Sequence, residues 1–450
     1  MVSYRGFPDP FPITPLGFAL DAEVIVPGSK SLTNRALLIA GAAAGSTLLT
    51  GVLASDDTEA MIRVLRSVGT RVDHDHAAAT ATVYGNGAAP DRRQSGEVVV
   101  DVGKSGTTAR FTVPFLAAGH GQFVVDAHEQ MKGRPMDDLY ASLIQLGVRF
   151  ETMGDLGRLP IRLLADGLRG GVVRVPGNVS SQFLSGLLLA APLAESETVI
   201  EVVGELVSVP YVDLSLSVMR SFGVTVVNEN YVRFVVPATG YVSPGSFAIE
   251  PDASAASYFF AAAVVTGGRV RVAGLGYGTE QGDVRFADVL GELGATVIRT
   301  EHALEVVANG PLRGGTVDMV DCSDTAQSLA AIAPLAAGPI SVTGIGFIRR
   351  KETDRIAAVV AELRRLGIDA TEDADGFTIV PGLVRPATVC TYDDHRMAMS
   401  FSILGLATPG VAIADPGCVV KTFPEFFDLV EALRADGIAR QCGVPRVLPS

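Results

Sequence analysis

The chain has 450 residues, too many for one hydrophobic core, so two domains are expected. It is 48% hydrophobic and 19% charged, as globular proteins are, and its formal net charge of −13 argues against nucleic acid as a partner. No apolar stretch is long enough to cross a bilayer without interruption by charge, Pro or Gly, so no membrane span is expected.

The N-terminal residues MVSYRGFPDPFPITPLG lack a basic region followed by an apolar one, so no signal peptide is expected. Cys322, Cys390, Cys418 and Cys442 show no metal-type spacing and fit a reduced cytoplasm. Two kinds of segment then alternate along the chain. The first kind is an amphipathic helix ending in Leu-x-x-x-Gly or a close variant, followed by a β-branched run. Its glycines are Gly69, Gly147, Gly223, Gly294, Gly367 and Gly437, separated by 78, 76, 71, 73 and 70 residues. A period of that length signals internal repeats, and each glycine suits the left-handed turn that closes a helix. The second kind is an Ala/Leu-rich helix opening on small polar residues. These begin at Ser29, Gly103, Val179, Asp252, Cys322 and Asp393. Ser, Thr and Asp at their starts are N-caps, and their apolar bodies predict burial nearly all round. Runs such as Ala22–Val26 and Glu97–Val102 supply strands between them. The expected unit is βαββαβ-like, six times over.

Cations gather where a helix should repel them. Lys30 and Arg35 fall in the first turns of the first buried helix, Lys104 and Arg110 take similar places at the second, and Arg396 at the sixth. A helix N-terminus carries partial positive charge and free N–H groups, so cations there become favourable when an anion binds between them and the helix end. Acidic neighbours explain one such cation well; three of six equivalent helix ends point to a small-molecule site rich in anions. In RRKETDR, Lys351 and Arg355 are four apart and would share a helix face with Glu352 beside it, a pattern that spacing alone reads as a solvated face. Lys421 precedes a Pro-started helix in KTFPEFF, and Arg134 precedes Pro135 in MKGRP. Ser180, Ser181 and Gln182 open a buried helix with more hydrogen-bonding side chains than capping needs. Asp324, at the opening of the fifth buried helix, reads equally as an N-cap or as a base. His395 reads as a packed helix residue. No dinucleotide fingerprint, phosphate-binding GxxxxGK[ST] loop, HExxH or GxSxG is present.

These segments together resemble the 5-enolpyruvylshikimate-3-phosphate synthase family over essentially the whole chain. The resemblance rests on PGSKSLTNRALLIA (Pro27–Ala40), SDDTEAM, GKSGTTAR, MKGRP, VSSQFLSGLLLAAP, LVSVPYVD, DASAASYFFAAA, QGDVRFADVL, RRKETDRI, YDDHRMAMSFS and DPGCVVKTFPEFF. The related UDP-N-acetylglucosamine enolpyruvyl transferases typically carry a reactive Cys in the loop that here spans Gly119–Arg134, which has none.

The resemblance implies an α/β fold: a two-domain inside-out α/β barrel of six βαββαβ repeats, three per domain. Residues 29–249 would form the N-terminal domain, and residues 1–28 with 250–450 the C-terminal one. It implies transfer of the enolpyruvyl group of phosphoenolpyruvate to the 5-hydroxyl of shikimate 3-phosphate, in a cleft between two closing domains, through a tetrahedral intermediate. Phosphate is released on the way to chorismate and the aromatic amino acids. Shikimate 3-phosphate would be held by Lys30, Ser31, Arg35, Ser180, Ser181, Gln182, Ser208, Asp324 and Lys351. Phosphoenolpyruvate would be held by Lys30, Gly106, Arg134, Gln182, Glu352, Arg355, Arg396 and Lys421. Asp324 would serve the 5-hydroxyl as base, Glu352 would serve C3, and Lys30 would act beside them. No metal or organic cofactor is implied, and the protein would be a cytoplasmic monomer open to the inhibitor glyphosate.

Some positions depart from the commoner pattern. Lys104 stands where Asn is usual, Gln130 and Gly133 replace charged residues, Phe111 follows Arg110 where Pro is frequent, and Phe347 replaces a polar residue near the acceptor. The competing reading is a non-catalytic repeat scaffold, which would need no carboxylates opposite the cations; Asp324 and Glu352 argue against it.

Overall fold

The computed structural model describes residues 6–441; Cys442 and the first five residues lie outside them. Helices α1 (Lys30–Ala42), α2 (Asp56–Ser67), α3 (Gly106–Ala117), α4 (Glu129–Lys132), α5 (Asp137–Gln145), α6 (Ser181–Ala190) and α7 (Val209–Ser221) belong to one compact unit, Gly28–Glu250. Helices α8 (Ala253–Thr266), α9 (Arg285–Glu292), α10 (Ala326–Ile332), α11 (Arg355–Arg365), α12 (His395–Ala407) and α13 (Phe426–Gln441) belong to the other. That unit comprises the described residues of Pro251–Ser450 and of Val2–Pro27. No described helix is long and apolar enough to cross a membrane.

Each unit has its own hydrophobic core. The Ala/Leu-rich helices fill it as the sequence pattern requires: every residue of α3 is buried, and so is α12 from His395 to Leu406. Small side chains let these helices approach closely. α8, α10 and α12 pack on one another through a line of serines, Ser257 to Ser328 at 3.0 Å and Ser328 to Ser400 at 3.5 Å. The expected caps form: the side chains of Ser29, Ser105, Ser180, Asp252, Asp354 and Asp394 accept backbone N–H groups at the starts of α1, α3, α6, α8, α11 and α12.

The described strands form six sheets. In one, Glu97–Asp101 pairs parallel with His120–Asp126, which pairs antiparallel with Ile161–Asp166, which pairs with Arg149–Thr152. A buried helix joins the parallel pair and an amphipathic helix leads into the antiparallel hairpin. The sequential order is therefore β-α-β-α-β-β, which corrects the expected βαββαβ. A parallel pair requires a crossover, which the buried helix provides, whereas adjacent antiparallel strands need only a turn. The helices were legible from periodicity, but the number of strands between them was not.

One turn expectation also needs correcting. Gly69, Gly147, Gly223, Gly294 and Gly367 have φ between 81° and 115°, as a left-handed helix end demands. Gly437 instead lies inside α13, where an added Cβ would sit 2.0 Å from Cζ of Phe18. Close approach, not a turn, calls for glycine there.

The tightest helix contact in the first unit is that of α6 on α3. A Cβ at Gly186 would lie 2.3 Å from the backbone oxygen of Arg110, which cannot rotate away. Gly186→Ala should therefore lower unfolding free energy by ~2 kcal/mol despite alanine's better helix propensity, as read by urea denaturation. A stabilised variant would mean that the two helices separate at little cost.

Candidate functional site

In the first unit, α1 opens at Lys30, whose Nζ lies 3.4 Å from Oδ2 of the buried Asp57 on α2. An ammonium at a helix N-terminus is locally unfavourable, and the Asp57 carboxylate offsets it. Arg35, one turn on, is almost fully buried above the Phe111 ring, 5.0 Å from its centroid. Its Nε donates to Ser215 Oγ (2.8 Å), Nη1 to the Ser31 carbonyl (2.9 Å) and Nη2 to the Tyr211 carbonyl (2.9 Å). Burial draws its pKa down to about 9, with Tyr211 acting in the opposite sense. Arg35 thus ties α1 to α7, and Ser215 extends the link to Ser185 on α6 at 3.0 Å.

A second group gathers at the N-terminus of α3. Ser105 caps the helix by accepting from Thr108 N at 3.1 Å, and Gly106 follows it. A Cβ on Gly106 would come within 2.5 Å of Arg134 Nη1 and 2.9 Å of Arg110 Nη1, so the missing side chain is what lets two guanidiniums lie over this helix end. Arg110 donates to Gln182 Oε1 (2.6 Å) and stacks over Phe183, while Gln182 Nε2 donates to Thr107 Oγ1 (3.2 Å). Ser180 accepts from Gln182 N at 3.3 Å, and Ser181 begins α6. Ser208, just before α7, is buried and left-handed (φ 56°), an uncommon conformation for a residue with a side chain. Gly106, Arg134 and Gln182 are therefore brought together, as are Ser31 and Arg35. Arg110 was legible as a cation near a helix start, although the implied ligand set left it out. Thr107 and Tyr211 carried no signal beyond their place beside the motifs.

In the second unit one carboxylate organises the cations. Asp324 lies in the turn before α10 and accepts from Lys351, from Arg355 Nη1 (3.0 Å) and from Arg396 Nη2 (2.7 Å). It does not cap α10, which removes the N-cap alternative. Arg355 also donates through Nε to Asp394 (2.8 Å) and through Nη2 to Glu352 (2.8 Å). Burial alone would lower its pKa, but Asp394, Glu352 and Asp324 hold it above the ordinary value. The Lys351 ammonium is drawn down by desolvation, which its attraction to Asp324 only partly offsets. Lys421 approaches Glu352 at 3.8 Å, and Arg396 reaches Ser254 Oγ at 3.4 Å. His395 is buried in α12, and the Lys351 ammonium lies 5.7 Å from the Phe347 ring centroid.

The shared helix face expected for Lys351 and Arg355 does not exist. The Asp354 side chain accepts from Ala357 N at 3.0 Å and starts α11 at Arg355, so Lys351 and Glu352 lie in the preceding turn. Both Lys351 and Arg355 still meet at Asp324. Asp283, in the turn before α9, was legible only as part of QGD. Ser254 donates to it.

The full set can bind oxyanions at the α3 and α6 helix ends, and in the second unit it holds an ionised carboxylate among Lys and Arg. The profile of the family described as EPSP synthase (3-phosphoshikimate 1-carboxyvinyltransferase) matches residues 17–430. The 3-phosphoshikimate 1-carboxyvinyltransferase of Trichormus variabilis is 43% identical over 419 residues, covering 93% of this chain and 98% of the relative. That of Aliivibrio salmonicida is 41% identical, covering 92% and 97%. Among solved structures, an EPSP synthase from Acinetobacter baumannii superposes with a TM-score of 0.78 at 26% identity, covering 95% of this chain and 98% of that one.

Burial, reinforced by repulsion from Asp324, pushes the Asp283 carboxyl up to about 6 from an ordinary 3.8. Between those values the folded protein holds a proton that the unfolded chain has lost. The stability contribution is thus fully present below the unfolded pKa and lost as pH rises through the folded one. Asp283→Asn removes this dependence. From about pH 4 to pH 6.5, its unfolding free energy relative to the parent should rise by roughly 2–3 kcal/mol. Parallel stability curves for the two proteins would contradict the shift.

Proposed function

The chain belongs to the EPSP synthase (3-phosphoshikimate 1-carboxyvinyltransferase) family, and from that premise we propose how its residues divide the work. It transfers the enolpyruvyl group of phosphoenolpyruvate to the 5-hydroxyl of shikimate 3-phosphate and releases phosphate, a step of the shikimate pathway. The two compact units are read as the family's domains, 29–249 and 1–28 with 250–450, each an inside-out α/β barrel of three repeats, in a cytoplasmic monomer.

Shikimate 3-phosphate is assigned to Lys30, Ser31, Arg35, Ser180, Ser181, Gln182, Ser208, Asp324 and Lys351. Ser180 and Ser181 at the α6 N-terminus suit its phosphate, because free N–H groups and hydroxyls converge there. A guanidinium carries five N–H donors, so Arg35 keeps donors beyond those that hold Ser31 and Tyr211. Phosphoenolpyruvate is assigned to Lys30, Gly106, Arg134, Gln182, Glu352, Arg355, Arg396 and Lys421, since Arg forks match carboxylate and phosphate oxygens bidentately.

The observation that carries the mechanism is Asp324, held by three cations, with Glu352 on the other terminal nitrogen of Arg355. Such a carboxylate stays ionised and is weakly basic, so it can take the 5-hydroxyl proton only as the oxygen bonds to C2 of phosphoenolpyruvate. Glu352, after taking up a proton from solvent, delivers it to C3, which forms the tetrahedral intermediate. Glu352 then takes a proton back from C3, which restores the double bond as the C2–O bond to phosphate breaks, and the departing phosphate carries away the proton that Asp324 accepted. The cations, Lys30 among them, stabilise the charge that develops.

Purified protein should release phosphate only when both substrates are present; release without shikimate 3-phosphate would contradict enolpyruvyl transfer. Asp324→Asn should lower kcat by ~100-fold or more while calorimetry still detects shikimate 3-phosphate binding. Near-parental turnover in that variant would remove Asp324 from the base role. Gly106 lets Arg110 and Arg134 lie over the α3 end, where they suit the anionic groups of glyphosate as they do those of phosphoenolpyruvate, so inhibition should be competitive with phosphoenolpyruvate; an inhibition constant far above its KM would overturn that reading.

A further inference from the structure

The amphipathic helix α2 lies against the strand Arg71–Asp75, and a group outside the residues discussed so far is held between them. Glu59, in the first turns of α2, faces two histidines from the strand and its continuation, His74 and His76. Residues two apart on a strand point to one side, so the His-Asp-His spacing brings both rings to the same carboxylate. His74 Nδ1 is 2.9 Å and His76 Nε2 3.3 Å from the same oxygen, Oε1 of Glu59. The three donor atoms lie within 4.8 Å of one another, and the ring centroids are 4.1 Å apart with the rings tilted by 30°.

Hydrogen bonding and ion pairing account poorly for this arrangement. The His74 side chain is 2% exposed, and its Nδ1 and Oε1 of Glu59 are buried without a well-formed hydrogen bond although they lie 2.9 Å apart. Two protonated rings in near contact would repel each other. A divalent cation removes the conflict: both imidazoles can be neutral with lone pairs inward and the carboxylate ionised. The spacing fits as well. Tetrahedral bonds of about 2.0–2.1 Å separate ligand atoms by about 3.3 Å.

We propose that Glu59, His74 and His76 bind a divalent transition-metal ion, with zinc as the preferred occupant. Two imidazoles and one carboxylate form a borderline donor set that suits zinc over magnesium or calcium. His76 is 55% exposed, which leaves an entry path and a fourth position for water. The ion clips α2 to its strand. Asp57, which faces Lys30, stands two residues before Glu59 on the same helix, so the clip also steadies that carboxylate.

The test is zinc titration of the tag-free full-length protein, by chelator competition and by thermal melting, against His76→Ala and Glu59→Gln. The parent should bind one tight equivalent of zinc that raises Tm. Both variants should lose at least ~10-fold in affinity, together with the Tm shift. His76 is largely exposed, so its loss leaves the core intact. His76→Ala also retains every cysteine, so zinc bound by thiols would persist in it. Undiminished binding in His76→Ala, or no tight equivalent in the parent, overturns the proposal.

Discussion

The second unit is organised by one buried charge. The Arg355 guanidinium is removed from water, and an unpaired cation there would cost several kcal/mol. It persists because three carboxylates from three chain segments converge on it: Asp394 from the start of α12, Glu352 from the turn before α11, and Asp324 from the turn before α10. Each of these acids has a further duty. Asp394 also caps α12, Asp324 also gathers Lys351 and Arg396, and Glu352 approaches Lys421. Moving any one of them would weaken the pairing of Arg355, so the geometry of this cluster and the stability of the unit are coupled.

The first unit solves a similar problem with fewer acids. Lys30 faces Asp57, but Arg35 is satisfied by carbonyls and a hydroxyl, and Arg110 by an amide oxygen. Neutral acceptors satisfy these N–H groups without supplying a countercharge of their own, and the free N–H groups at the ends of α3 and α6 attract anions in the same region. In the second unit, by contrast, the cations already carry carboxylate partners, among them the two assigned to proton transfer in the proposed mechanism.

Close packing sets how these charges reach their places. The buried helices are rich in Ala, Gly and Ser, and their backbones approach closely enough that Gly186 has no room for a methyl group. The cations near α3 depend on a similar economy of volume, because Gly106 yields its side-chain space to Arg110 and Arg134. Phe111, unusual for its motif, is wholly buried and supports Arg35 from below, so it acts on the site through that guanidinium.

Much was legible from local pattern. Apolar periodicity marked the buried and amphipathic helices, and the small polar residues at their starts became caps at Ser29, Ser105, Ser180 and Asp394. The unfavourable cations of the opening turns marked the helix ends to which the anionic substrates are assigned. These features were readable because helix propensity, capping and end charge act within a turn or two of chain. Tertiary structure alone decided the rest. It made Asp324 the partner of Lys351, Arg355 and Arg396, kept Gly437 helical against Phe18, and set two histidines against Glu59. Those outcomes join residues far apart along the chain. Strand pairing and helix packing determine which of them meet, and no short-range rule encodes that.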